Sequence, residues 1–196
     1  MLVYLHGFNS SPASFKARLL ARALEERGCG ERLCVPQLPP DPAAAIALAE
    51  AQIAARRATA LVGSSLGGYY ATYLAEKHGL KAVLINPAVR PYELLAACLG
   101  EQRNLYTGEV YTFTRAHLEA LRALEVERLD PERYLLLVAT GDEVLDYRAA
   151  LEKYEGCARV VVEGGDHSFG RFSDYLEIVL DFCGIAPSVA NRRVLR

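Results

Sequence analysis

Ser65 lies at the centre of Gly63-Ser64-Ser65-Leu66-Gly67, where the apolar run Thr59-Ala60-Leu61-Val62 gives way to a helix-like stretch from Gly68 to His78. A strand, a sharp turn and a helix with a serine at the apex have a chemical use. The turn forces the serine into a strained backbone conformation, lifts Oγ above the sheet edge and points the following N–H at a substrate oxygen. Glycines at Gly63 and Gly67 suit a turn crowded by the neighbouring strand and helix. A serine hydroxyl is a poor nucleophile at its free pKa, so it needs a base, and the base needs an orienting acid. Both types follow downstream. Arg133 to Thr140 reads as a buried strand ending in Gly141-Asp142-Glu143-Val144, and Arg159 to Glu163 as a β-branched strand followed by Gly164-Gly165-Asp166-His167-Ser168-Phe169. Asp142 and His167 thus fall on loops at strand carboxyl ends. Serine, acid, histidine is the chain order of one serine-nucleophile architecture and differs from the chymotrypsin and subtilisin orders.

Each candidate has a rival. The Gly-x-Ser-x-Gly register puts Ser65, not Ser64, at the apex, leaving Ser64 as a packing or hydrogen-bonding neighbour. Glu143 and Asp146 compete with Asp142, which is favoured as the first acid after the strand. Asp166 is expected to point away from the site and shape the histidine loop. Asn9 is a candidate side-chain donor to a substrate and equally a candidate loop brace. His78 and His117 lie in helical patterns and are expected to face solvent.

The elements that must position these residues alternate. Met1 to Leu5 reads as a strand, and Ser11-Pro12 as a helix start, with Phe15, Leu19, Leu20, Ala23 and Leu24 on one face up to Gly28. Arg32 to Val35 is a strand broken by Pro36, and Asp41-Pro42 starts an Ala-rich helix running to about Arg57. The strand before Ser65, the helix after it closed by Gly79, and a strand at Ala82–Ile85 come next. Strands at Tyr134 and Val160 flank a helix around Tyr147 to Tyr154, and Ser173 to Cys183 is the last helix, capped by Gly184. This alternation predicts an α/β fold, a mostly parallel sheet of about six strands with helices on both faces. Ligands of such sheets bind beyond the strands' carboxyl ends, where all the candidates fall. Arg90 to Leu129 departs from the pattern and reads as a lid-like helical insertion in a single domain spanning 1–196, with an irregular stretch from Gln102 to Tyr111. Its Leu94, Leu95, Leu105, Tyr106, Tyr111 and Phe113 are more apolar than a solvated loop requires, so Tyr106 and Tyr111 are candidate substrate contacts. The competing reading is that these side chains pack helices onto the sheet.

Composition narrows the function classes. At 196 residues, 52% hydrophobic and a net charge of −2, the chain suits one two-sided core and offers no basic surface for nucleic acid or anionic membrane. Arg192, Arg193 and Arg196 near the end are too few to change that. Five cysteines in unpatterned positions are expected as free thiols in a reducing cytoplasm. No signal peptide or membrane-spanning stretch is apparent. Phosphate-loop, dinucleotide and zinc-protease motifs are missing, so no cofactor and no metal are expected. The oligomeric state is not legible.

With these residues in view, the chain resembles the α/β-hydrolases, and specifically the small YqiA-like esterase family. The carrying segments are Tyr4 to Pro12, Gly63 to Thr72, Asn86-Pro87-Ala88, Thr140 to Tyr147 and Gly165-Asp166-His167. Against larger hydrolases the chain is a minimal version of the fold, and Glu143-Val144 after Asp142 is as in related hydrolases. The resemblance implies a hydrolase of small-molecule carboxylic esters or acyl thioesters using Ser65, Asp142 and His167, with main-chain donors at Phe8 and Leu66. It also implies that His6 is a structural imidazole bracing the loop that carries Phe8. Acyl transfer to a small acceptor would use the same residues, and a non-catalytic binding protein on this fold would lack one of them.

Overall fold

The computed structural model describes residues 1–185, so Arg192, Arg193 and Arg196 lie outside the described residues. In chain order the elements are β1 (Leu2–Leu5), α1 (Phe15–Glu26), β2 (Leu33–Cys34), α2 (Pro42–Arg56), β3 (Ala60–Ser64), α3 (Leu66–His78), β4 (Lys81–Ile85) and α4 (Pro91–Leu94). Then follow β5 (Gly100–Arg103), β6 (Val110–Phe113), α5 (Arg115–Arg122), β7 (Tyr134–Ala139), α6 (Tyr147–Lys153), β8 (Ala158–Val162) and α7 (Leu176–Phe182).

Six strands form one sheet in the order β2-β1-β3-β4-β7-β8, every pairing parallel. Its central strands are continuous apolar runs because both faces are covered. Val3, Leu5, Leu61, Leu84 and Leu136 face the layer holding α2, α3, α5 and α6, while Leu2, Tyr4, Val62, Val83 and Leu137 face α1 and α7. The chain runs outward from β1 to β2 and returns to β3 on the other side of β1. That reversal opens a crevice beyond the carboxyl ends of β1 and β3, the place where open parallel sheets take ligands.

Local chemistry explains most boundaries. Asp41 caps α2, its Oδ1 accepting from the Ala43 and Ala44 N–H groups at 2.8 and 3.0 Å. Helix α1 begins one turn later than Ser11-Pro12 suggests, because Ser11 Oγ accepts from the Ala13 N–H at 3.0 Å and holds a turn instead. The later start takes Phe15 off the core face and leaves it 44% exposed, while Ala17, Leu20, Ala23 and Leu24 are buried.

The segment 90–129 is not simply helical. Between α4 and α5 it forms an antiparallel hairpin of β5 and β6, where the sequence suggests an irregular stretch. Glu101-Gln102-Arg103 carries no strand-like composition, and Asn104 provides local order instead. Its Oδ1 accepts from the Tyr106 and Thr107 N–H groups at 2.9 and 3.0 Å. Phe113 and Leu121 belong to the core, whereas Leu105 and Tyr106 at the hairpin tip are exposed.

Candidate active site

Ser65 occupies a sharp elbow between β3 and α3, at φ 55° and ψ −121°. A non-glycine residue there stores about 1–3 kcal/mol of strain and persists only when its surroundings over-determine it. They do so here. The Ser65 N–H donates to the Ile85 carbonyl at 3.1 Å, and the Ser65 carbonyl accepts from the Gly68 and Ala88 N–H groups at 2.9 and 3.1 Å. The elbow is so tight that a Cβ on Gly63 would lie 2.3 Å from the Gly67 carbonyl oxygen, and one on Gly67 would lie 1.9 Å from the Leu5 carbonyl oxygen. Gly67→Ala is therefore expected to destabilise by about 1–3 kcal/mol. In a domain of this size that lowers Tm by roughly 2–12 °C, and an unchanged Tm in a thermal melt would contradict the elbow geometry.

Beyond β7 and β8, the acid and histidine loops bring Asp142 and His167 to Ser65. His167 Nε2 is 3.1 Å from Ser65 Oγ, and Nδ1 is 2.8 and 3.0 Å from the Asp142 carboxylate oxygens. The Asp142 side chain is only 1% exposed, and its Oδ1 also accepts from the Val144 and Leu145 N–H groups at 2.9 Å each. Burial pushes the Asp142 carboxyl up, but hydrogen bonds from His167, Leu145 and Val144 outweigh it and hold the group below its ordinary value. An ionised carboxylate on Nδ1 keeps the proton there and leaves Nε2 to accept from Ser65.

The rival acids have other partners. Glu143 Oε2 accepts the His167 backbone N–H at 3.0 Å, and Asp146 caps α6 by accepting from the Arg148 N–H at 3.0 Å. Asp166 turns into its own loop, accepting from the Gly170 N–H at 3.3 Å. Sequence reasoning misses Asn86, which is 3% exposed at the exit of β4. Its Nδ2 donates to the Asp166 and His167 carbonyls at 3.1 and 3.2 Å, and its Oδ1 accepts from the Ala139 N–H at 2.9 Å. One amide thus ties the histidine loop to the end of β7. An asparagine after a strand reads only as a turn, and nothing local reveals partners some fifty to eighty residues away.

Phe8 sits on the loop leaving β1. Among the described residues neither the Phe8 N–H nor the Leu66 N–H has an internal acceptor, so both are available to a ligand oxygen. His6 braces this loop as the resemblance implies: Nδ1 donates to the Gly7 carbonyl and Nε2 accepts from the Leu38 N–H, both at 3.0 Å. Burial lowers its pKa, in keeping with a neutral ring. The hairpin latches the same loop. Asn9 Oδ1 accepts from the Tyr111 hydroxyl at 2.7 Å and Nδ2 donates to Gln102 at 3.1 Å, while the Leu105 N–H donates to the Asn9 carbonyl at 3.0 Å. The Asn9 side chain thus braces the loop, and it also lines a cavity beside Ser65 with one amide N–H left over.

A cavity of about 210 Å³ opens beside Ser65 and His167, and the hairpin tip contributes Leu105 and Tyr106 to its lining. Tyr111 does not line it; its hydroxyl donates to Asn9, and it borders a smaller neighbouring cavity together with Phe8 and Leu66. A larger cavity of about 470 Å³, lined by residues such as Arg90, Glu125 and Lys153, contains neither Ser65 nor His167. His78 is paired with Glu50 at 2.8 Å. His117 is not solvent-facing as its helical position suggests: it packs on Phe113, and its Nδ1 accepts from the Thr114 N–H at 3.0 Å to complete the start of α5.

The same architecture recurs in solved structures. A protein of Agrobacterium vitis S4 superposes with a TM-score of 0.76 at 22% identity, over 93% of this chain and 87% of that one. Est1E from Butyrivibrio proteoclasticus gives 0.66 at 17% identity over 93% and 84%. A structure described under LipS and LipT, two metagenome-derived lipolytic enzymes, gives 0.69 at 18% identity over 94% and 93%. At such identities the likeness carries the fold alone, the α/β-hydrolase fold. Family membership rests on the sequence itself, matched over residues 1–184, which places the chain in the Uncharacterised protein family (UPF0227), the YqiA-like family.

Proposed function

We propose that this protein is a serine hydrolase that cleaves small carboxylic esters or acyl thioesters through an acyl-enzyme. The observation that carries this reading is that one imidazole lies within hydrogen-bond reach of both Ser65 Oγ and a buried carboxylate. In the first step Ser65 Oγ attacks the carbonyl carbon as its proton passes to His167 Nε2, and the Phe8 and Leu66 N–H groups hold the oxyanion. The carbon–oxygen or carbon–sulfur bond then breaks, and the imidazolium returns the proton to the departing alcohol or thiol. Water, deprotonated by His167, releases the carboxylic acid and restores Ser65. Asp142 stays ionised throughout and stabilises the imidazolium. The same fold holds a small organic acid in Est1E, whose structure contains ferulic acid.

The direct test is turnover of a short aryl ester such as 4-nitrophenyl acetate. Sustained release of nitrophenol well above that of the Ser65→Ala protein is expected, and equal rates would refute the reading. Tyr106 at the cavity mouth offers a finer check. Tyr106→Ala is expected to shift the ratio of kcat/KM between acetyl and octanoyl esters by about tenfold, the effect of losing one apolar contact. Equal losses on both esters together with a lowered Tm would make Tyr106 a packing residue instead.

A further inference from the structure

We propose that the ester taken by this site carries a second, anionic group, a carboxylate, seated on the Lys16 ammonium, the Ser14 hydroxyl and the first turn of α1. The proposal rests on the esterase reading above and adds the substrate class.

The cavity beside Ser65 is unevenly lined. Its mouth carries Phe15, Leu105 and Tyr106, while most of the rest of the lining is polar, with the hydroxyl-bearing Tyr4, Ser10, Ser14, Ser64 and Ser168, the amide of Asn9 and the ammonium of Lys16. Lys16 donates to the Ser168 carbonyl at 2.7 Å and forms no ion pair among the described residues. An ammonium has three donors, so two remain for a ligand. Burial pushes the Lys16 pKa down to about 8 against the opposing pull of Asp166 and Asp142, so near neutral pH the group is still charged and only partly compensated.

A second, independent feature lies next to it. Ser14 is 8% exposed, yet its Oγ completes no hydrogen bond; the Tyr4 hydroxyl is a neighbour without reaching bonding geometry. Ser14 is the N-cap residue of α1, the position whose hydroxyl ordinarily accepts from the helix's own N–H groups, and here it makes no such bond. The N–H groups of Phe15, Lys16 and Ala17 have no acceptor among the described residues. An uncapped first turn of a twelve-residue helix, an unused buried hydroxyl and an unpaired ammonium thus border one cavity. Each is satisfied by an acceptor carrying negative charge. A long alkyl chain would instead strip water from the hydroxyls and the ammonium and return nothing. At about 210 Å³ the cavity is smaller than the ~300–1,000 Å³ of drug-sized ligand sites, so ester and anion belong to one short molecule.

The carboxylate can belong to the acyl part or to the alcohol part, and two substrate pairs separate these. Methyl hydrogen succinate against methyl butyrate places the charge on the acyl side, and acetoxyacetate against propyl acetate places it on the alcohol side. The wild-type protein is expected to favour the charged member of one pair by about tenfold or more in kcat/KM. Lys16→Met should lose that preference and Lys16→Arg should keep it. No preference in either pair, or a Lys16→Met protein in which both members fall equally, would overturn the proposal and leave Lys16 as a brace of the histidine loop. Binding of the uncleaved esters to Ser65→Ala, measured by calorimetry, separates this result from failure of the esterase reading. Charged-ester binding that is lost in Ser65→Ala/Lys16→Met supports the anion site even if the wild type cleaves nothing, whereas equal binding of charged and neutral esters overturns it.

Discussion

Ser65→Ala and His167→Ala are each expected to lower ester turnover by on the order of 10⁴-fold or more, to similar residual rates, with the double variant no worse than either single one. The expectation follows from the shared proton. With Nε2 at 3.1 Å from Oγ, the imidazole is useful only if Ser65 presents a hydroxyl, and Ser65 is reactive only if the imidazole accepts its proton. Losses that multiplied in the double variant would mean that the two residues act in different steps. Ser64→Ala is the control. Ser64 ends β3 and lies outside the elbow position, so its variant should keep measurable turnover, with retention judged by initial rates on the same short ester.

Asp142→Asn is expected to reduce kcat by roughly 10³–10⁴-fold, because the amide cannot stabilise the imidazolium and can donate to Nδ1, shifting the ring to the wrong tautomer. Glu143→Gln should cost far less, since a glutamine oxygen can still accept the His167 backbone N–H that Glu143 holds at 3.0 Å. Asp146→Asn should be nearly silent, because asparagine caps a helix about as well as aspartate. The three variants share one loop, but only two disturb a bond to the histidine: Asp142 holds its Nδ1 and Glu143 its backbone N–H, whereas Asp146 holds the start of α6. If Asp146→Asn or Glu143→Gln were the crippling change in steady-state kinetics, the orienting role would belong elsewhere.

How much of this is legible in the sequence depends on how local the cause is. The central strands are visible as apolar runs because they are buried on both faces, and α2 is visible because Asp41 and Pro42 act on their own helix. Ser65, Asp142 and His167 can be placed at strand carboxyl ends because glycine-rich turns follow each strand. The start of α1 is misplaced by one turn because Ser11 has two uses, capping a helix or closing a turn, and composition does not choose between them. The hairpin of β5 and β6 is hidden for a different reason. The Asn104 turn is local, but the Asn104 Nδ2 bond to the Ser10 carbonyl at 2.8 Å and the bond from Tyr111 to Asn9, which hold the hairpin in place, are long-range contacts. The same holds for Asn86 and Glu143, whose partners on the histidine loop exist only after β4, β7 and β8 have assembled.

The most direct test of the central claim is to label the intact protein with a fluorophosphonate and locate the adduct by fragmenting the modified peptide. The account predicts one stoichiometric adduct on the Ser65 oxygen, resolved from Ser64 by the fragment series, absent from Ser65→Ala and formed far more slowly by His167→Ala. An adduct on Ser64, labelling that survives in Ser65→Ala, or no reaction by the folded wild-type protein would contradict it.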